Sequence, residues 1–138
     1  MKRLIIVTFL IHTFVYARLE YTNYSTTIDH TTKLEWANSS QPKVWKNAIE
    51  YCNNSNAGAK QDWRLPDINE LNSLFDYKNE YKYKLHQPSN HPYFWSSTTY
   101  VGVKHRAFFI NVSDSTISKI DKANTLRVIC VRSLEIEN

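Results

Sequence analysis

A chain of 138 residues with 17 Lys and Arg against 13 Asp and Glu carries a formal charge of +4, a length that fits one domain able to bury a real core. Glycine occurs only at Gly58 and Gly102, and no repeat, heptad run or low-complexity linker is present, which excludes solenoid, coiled-coil and disordered classes. The charge speaks to solubility rather than fold, and neither demands nor excludes an anionic partner.

Lys2 and Arg3 followed by a mostly apolar stretch from Leu4 to Tyr16 and the sequence Val15-Tyr16-Ala17 predict a signal peptide over residues 1–17. Its apolar run is short against the roughly 20 residues that a spanning helix needs. Cleavage after Ala17 would leave residues 18–138 as a single domain, secreted or held in the periplasm or cell envelope, with its formal charge reduced from +4 to +2. No cysteine directly follows the apolar run, so a lipid anchor is not expected, and no later segment could span a bilayer.

Ile28 to Trp36 reads as two short strands around a polar turn, with Leu34 and Trp36 on one face. Ser40-Gln41-Pro42 is expected to cap and open a helix over Val44 to Cys52, where Trp45, Ala48 and Cys52 recur at helical spacing. Asp67-Ile68-Asn69-Glu70 has the form of a capping box, and Ile68, Leu71, Leu74 and Phe75 trace the buried stripe of a second helix. Lys78 to Pro92 is polar and aperiodic, and is read as a loop. Phe94 to Tyr100, Ala107 to Val112, Thr116 to Ile120 and Leu126 to Arg132 have strand composition, with Ser113-Asp114-Ser115 as a hairpin turn. Alternation in the last strand puts Leu126, Val128 and Cys130 on one side, so Cys130 should face the first helix. Two helices followed by an antiparallel meander is an α+β arrangement.

Cys52 and Cys130 are the only cysteines, and in an oxidising compartment they are expected to pair. Two reactive thiols are the alternative, but neither residue belongs to a Cys-x-x-Cys pair or neighbours a His that would favour the thiolate.

Trp45-x-x-Ala48-x-x-Tyr51-Cys52, Asp62-Trp63-Arg64-Leu65-Pro66, Glu70-Leu71-x-x-Leu74, Phe94-Trp95-Ser96-Ser97 and Arg127-Val128-Ile129-Cys130-Val131-Arg132 follow one another in the chain. In kind and order these blocks resemble the bacterial Lcl C-terminal domain family, named for the terminal domain of a collagen-like adhesin. The likeness runs from about Thr27 to Arg132. It implies a C-type lectin-like fold, similar also to the formylglycine-generating enzyme: two helices packed on short antiparallel sheets, one disulfide, and termini close together. Thr31-Thr32-Lys33-Leu34-Glu35-Trp36 departs from the pattern, lacking the small residue usual before the Leu.

Trp45, Asp62, Trp63, Arg64, Leu65, Pro66, Trp95, Ser96 and Ser97 are expected to be structural. Trp63 and Leu65 would bury apolar area while Asp62 and Arg64 fasten the loop ahead of the second helix. No catalytic residue, cofactor or metal is expected. The Glu-Pro-Asn, Gln-Pro-Asp and Trp-Asn-Asp sequences that gather oxygens around calcium in lectins of this fold are missing. A pair of reactive cysteines beyond a structural one, which enzyme chemistry of the formylglycine type would need, is missing too. His86 and His91 do not have zinc-ligand spacing, and His30 and His105 are isolated. Four Asn-x-Ser sequons, at Asn23, Asn38, Asn53 and Asn111, matter only in a glycosylating host.

The candidate ligand surface is electrostatic. Lys78, Lys82, Lys84 and His86 in the loop, and Lys104, His105 and Arg106 between two strands, are interleaved with tyrosines including Tyr93. Cations can meet sulfates or carboxylates while tyrosines stack on sugar rings. The expectation is therefore a non-catalytic, adhesin-like binding module for an anionic glycan or another surface partner such as a protein. The alternative is an envelope enzyme with an unrecognised cleft. Nucleic acid is not an expected partner, given export and the small mature charge.

Overall fold

The computed structural model describes residues 18–37, 40–76 and 91–135. The predicted leader, and the candidate residues Lys78, Lys82, Lys84 and His86, lie outside the described residues.

Thr- and aromatic-rich segments near the start form β1 (Leu19–Tyr21), β2 (Thr26–Asp29) and β3 (Leu34–Ala37). They build one antiparallel sheet with β9 (Val131–Ser133), in the order β1-β2-β3-β9. The second sheet has the order β4-β8-β5-β6-β7, from β4 (Ser40–Val44), β5 (Tyr93–Thr99), β6 (Arg106–Asn111), β7 (Thr116–Asp121) and β8 (Thr125–Val128). Helices α1 (Trp45–Asn53) and α2 (Ile68–Asp76) lie between β4 and β5 in the chain, separated by a single 3-10 turn at Ala57–Ala59. The result is α+β, with two helices, two sheets and one disulfide.

Two apolar clusters form, and the last segment of the chain divides them. Leu126, Val128 and Cys130 join Ala48, Cys52, Trp63, Leu65 and Trp95, while Ile129 and Val131 join Leu34, Trp36, Leu71, Leu74 and Phe94. Successive side chains of an extended segment point to opposite faces, so one stretch buried on both sides serves both cores. The unbroken apolar run from Val128 to Val131 follows from that position.

Three features differ from the sequence expectations. Ser40–Val44 is a strand and not a helix cap, and α1 starts at Trp45 without a side-chain cap. Pro42 lacks an N–H, and an edge strand tolerates that loss where a central strand does not; the register against β8 shifts between Ser40 and Lys43, around the proline. The predicted strand Leu126 to Arg132 is two strands, β8 and β9, in different sheets, because the chain must leave one core for the other. The late strands are also not a simple antiparallel meander. β8 lies between β4 and β5 and pairs with β5 in parallel, Phe94 opposite Arg127, so the second sheet is mixed.

The two ends of the described fold meet at one turn. The Arg18 carbonyl accepts from His30 N–H at 2.8 Å, and Leu134 N–H donates to the Lys33 carbonyl at 3.0 Å. Arg18 is also a fastener: its guanidinium donates to both oxygens of fully buried Asp29, at 2.7 to 3.1 Å, and to the Ser73 carbonyl of α2 at 3.0 Å. The capping box is formed as the sequence predicts, Glu70 N–H donating to Asp67 Oδ1 at 2.8 Å and Asp67 N–H to Glu70 Oε2 at 2.9 Å.

Both carboxylates make acid stability predictable. Burial raises the Asp29 pKa, but hydrogen bonds from Arg18 and from the Thr32 and Thr31 amides, with the Arg18 charge, outweigh it and hold the group below its ordinary 3.8. Glu70 likewise is raised by burial, yet held below its ordinary 4.5 by Arg64 and the Asp67 amide. A carboxyl depressed in the folded state stabilises fully above its unfolded pKa, and that contribution is lost as pH falls through the folded value. Urea unfolding is therefore expected to be nearly flat between pH 6 and about 5 and to weaken below about pH 4. Asp29→Asn should lower stability at pH 6 and flatten that acid limb; an unchanged limb would remove Asp29 as its source.

Candidate functional site

Among the described residues, one group of exposed cations and rings lies at one end of the β5-β6-β7 ribbon. Antiparallel register sets Arg106 opposite Asp121 and Phe108 opposite Lys119, and the Lys122 N–H donates to the His105 carbonyl at 2.9 Å. Tyr100, just past β5, donates its N–H to the Arg106 carbonyl at 2.9 Å and meets Phe108 edge-on with ring centroids 5.7 Å apart. Lys119 Nζ sits 4.0 Å from the centre of the Tyr100 ring. On the opposite side of the ribbon, with Ala107 and Ile120, Lys122 Nζ lies 3.8 Å over Trp45 and donates to Thr99 Oγ1 at 2.8 Å. Lys104, His105 and Arg106 are exposed at the same end. Asp121 partly offsets them, its carboxylate 3.7 Å from His105 Nε2.

A second set of contacts holds the scaffold that presents this ribbon. Asp62, exposed and at φ 65°, turns the chain into Trp63, a conformation that Asp tolerates better than most residues. Trp63 Nε1 donates to the Ala57 and Lys60 carbonyls, both at 3.2 Å. Arg64 exchanges backbone hydrogen bonds with Val131, both 2.9 Å, and grips Glu70 with two guanidinium bonds of 2.7 and 2.6 Å. The Pro66 carbonyl accepts from Ser97 N–H at 2.7 Å. Trp95 Nε1 reaches the Lys43 carbonyl and Trp45 Nε1 the Ser96 carbonyl, both at 2.8 Å, while Ser96 Oγ donates to the Phe108 carbonyl at 2.7 Å. The three indole N–H groups, the Arg64 guanidinium and the Ser96 hydroxyl of these blocks thus bond to backbone or to Glu70 and join α1, α2, β5 and β9, whereas the exposed Asp62 acts through its backbone turn. Residues 25–132, which contain all of them, match the family model of the Lcl C-terminal domain.

The chain belongs to this family. No curated protein sequence matches it significantly.

Within this Lcl C-terminal domain the sequence-predicted surface is only partly assembled. Lys104, His105 and Arg106 come together, but Tyr93 pairs with Asn111 at the far end of β6, about 17 Å away at 3.4 Å per residue. Tyr93 instead packs edge-on against Phe109, with centroids 5.6 Å apart. Lys119, Lys122 and Tyr100 were missed. A signal for them exists in the sequence: folding the chain about Ser113-Asp114-Ser115 brings 119 opposite 108 and 122 near 105, but only if the register is assumed. His30 bonds to Glu20 at 2.7 Å, and among the described residues no three His, Cys, Asp or Glu gather around a metal-sized space.

Proposed function

We propose that this Lcl C-terminal domain is an exported, non-catalytic binding module that engages an anionic polysaccharide at the Lys104–Arg106 end of the β5-β6-β7 ribbon. The observation that carries the reading is Lys119 lying over Tyr100 at the strand end that also carries exposed Lys104 and Arg106. Ammonium groups fixed against rings offer sulfates or carboxylates a prearranged charge, and the rings offer apolar surface to the sugar. Export draws support from the leader pattern and from the Cys52–Cys130 bond, which suits an oxidising compartment. Among the described residues no helix is long and apolar enough to cross a membrane. The C-type lectin-like superfold is the finer architecture we assign: two helices, two sheets, one disulfide, and both ends at the β2–β3 turn agree with it.

The enzyme alternative has less support. Among the described residues, the groups whose ionisation the fold displaces are Asp29, Arg64, Glu70 and Arg127; the first three are fasteners, and Arg127 is buried against Phe94. A catalytic acid or base would instead be expected in a cleft.

The purified protein should be retained on a sulfated polysaccharide column at low salt and released as salt rises, since exposed charge interactions are screened over about 10 Å at 0.1 M. The combined variant Lys104→Ala, Arg106→Ala, Lys119→Ala should lose about tenfold in affinity, at roughly 0.5 kcal/mol per exposed contact. Retention that ignores salt, or a variant that elutes like the parent, would rule the surface out.

A further inference from the structure

The small sheet has one face in the core and a second that is neither flat nor simply solvated. Glu20 stands opposite Ile28, Ile28 opposite Glu35, and Glu35 opposite Arg132, so these four side chains form a row across all four strands on the face opposite to Leu34 and Trp36. The row floors a concavity of about 660 Å³, walled by Tyr24 from the β1–β2 turn and by Gly58 and Lys60. That volume is within the range of small-ligand sites, about 300 to 1,000 Å³.

Two of its charged residues are held rigidly. Glu35 and Arg132 are only 4% and 6% exposed. Glu35 Oε1 accepts from the Thr26 hydroxyl at 2.6 Å and Oε2 from Arg132 Nη1 at 2.8 Å, while Arg132 Nε donates to the Gln61 carbonyl at 3.1 Å. A carboxylate offers about four acceptor positions and a guanidinium five donors, so each retains capacity beyond these bonds. The pair is neutral as a unit and presents acceptor beside donor.

Shape supplies the second observation. Gly58 has φ 61°, and a Cβ there would lie 3.3 Å from Thr26 Cγ2 and 3.5 Å from Tyr24 Cβ. A larger residue would push the 3-10 turn away from Tyr24, whose side chain remains exposed on the rim.

The geometry points to a second binding site here, for a neutral sugar unit of an oligosaccharide, independent of the basic ribbon end. Adjacent ring hydroxyls each donate and accept, matching the Glu35–Arg132 pair, and the Tyr24 ring provides an apolar platform for a sugar C–H face. A free anion or cation gains little from the Glu35–Arg132 pair, because each of these two charges already has its counterion.

The test is amide chemical-shift mapping by NMR on the purified protein, with maltotriose, cellotriose and chitotriose as separate probes at up to roughly 10 mM, a range that detects millimolar affinity. At least one should shift amides of Glu20–Tyr24, Glu35, Gly58–Lys60 and Arg132, with less than about a twofold change in affinity between low and high salt, as expected for an uncharged ligand. Tyr24→Ala should weaken that binding at least about fivefold, a loss on the scale of one aromatic contact, while its spectrum stays dispersed. Silence from all three sugars, shifts confined elsewhere, or undiminished binding by Tyr24→Ala would overturn the proposal. Salt-sensitive shifts at Lys104–Arg106 with a sulfated polysaccharide report on the other site alone, so either reading can fail without the other.

Discussion

Opening the Cys52–Cys130 bond, by reduction or by replacing both cysteines with alanine, is expected to lower the free energy of unfolding by about 4.5 kcal/mol. The bond links α1 to the segment after β8 across 78 residues, and a cross-link of that span removes much of the unfolded chain's freedom. Cys52 and Cys130 are 0% and 1% exposed within the cluster that also holds Trp63 and Trp95. Reduction therefore leaves two thiols in a packed interior, with no gain in solvation to offset the loss. A domain of this size is commonly stable by about 5 to 15 kcal/mol, so the loss removes about 30% or more of the total. The urea midpoint should drop by about 2 M, taking a slope near 2 kcal/mol/M. An equal midpoint with and without reductant would mean that the bond restrains nothing the unfolded chain would otherwise explore.

Removing one partner of the Glu35–Arg132 pair comes next in size. Arg132→Met should cost about 3 to 5 kcal/mol, because it strands a carboxylate inside the protein, whereas the double variant Glu35→Leu, Arg132→Met should recover most of that loss. Arg132 adds a bond to the Gln61 carbonyl and lies 6.0 Å from the Trp63 ring centre, so recovery will stop short of the parent. A double-mutant cycle by urea unfolding measures the coupling, expected at about 2 kcal/mol or more for a desolvated charge pair. Additive losses would mean that the two residues stabilise the fold separately.

The legibility of the fold varied with the range of the forces involved. The capping box at Asp67–Glu70 and the stripe Leu71, Leu74 and Phe75 were readable because spacing along one helix encodes them. The hairpin turn at Ser113–Ser115 was readable for the same reason: Asn111 Oδ1 accepts from Ser113 N–H at 3.0 Å, and Asp114 Oδ1 from Thr116 N–H at 3.0 Å. Ser40–Val44 was misread because Ser and Pro before an amphipathic run suit a helix start, and only pairing with β8 decides otherwise. The split of Leu126–Arg132 escaped notice since each half alternates in phase with the other. Nothing local marks a change of sheet.

The binding surface divides in the same way. Lys104, His105 and Arg106 are neighbours in the chain, but Lys119 and Tyr100 reach them only through strand register. Composition and motif order alone determined the family, the α+β class and the cysteine pair, because periodicity, caps and a two-cysteine inventory are properties of short segments. The tertiary structure decided that β8 enters parallel beside β5, that one segment serves two cores, and that Glu35 meets Arg132 across 97 residues. Those outcomes depend on which distant surfaces bury each other's apolar area and satisfy each other's charges, and no window along the chain contains both partners.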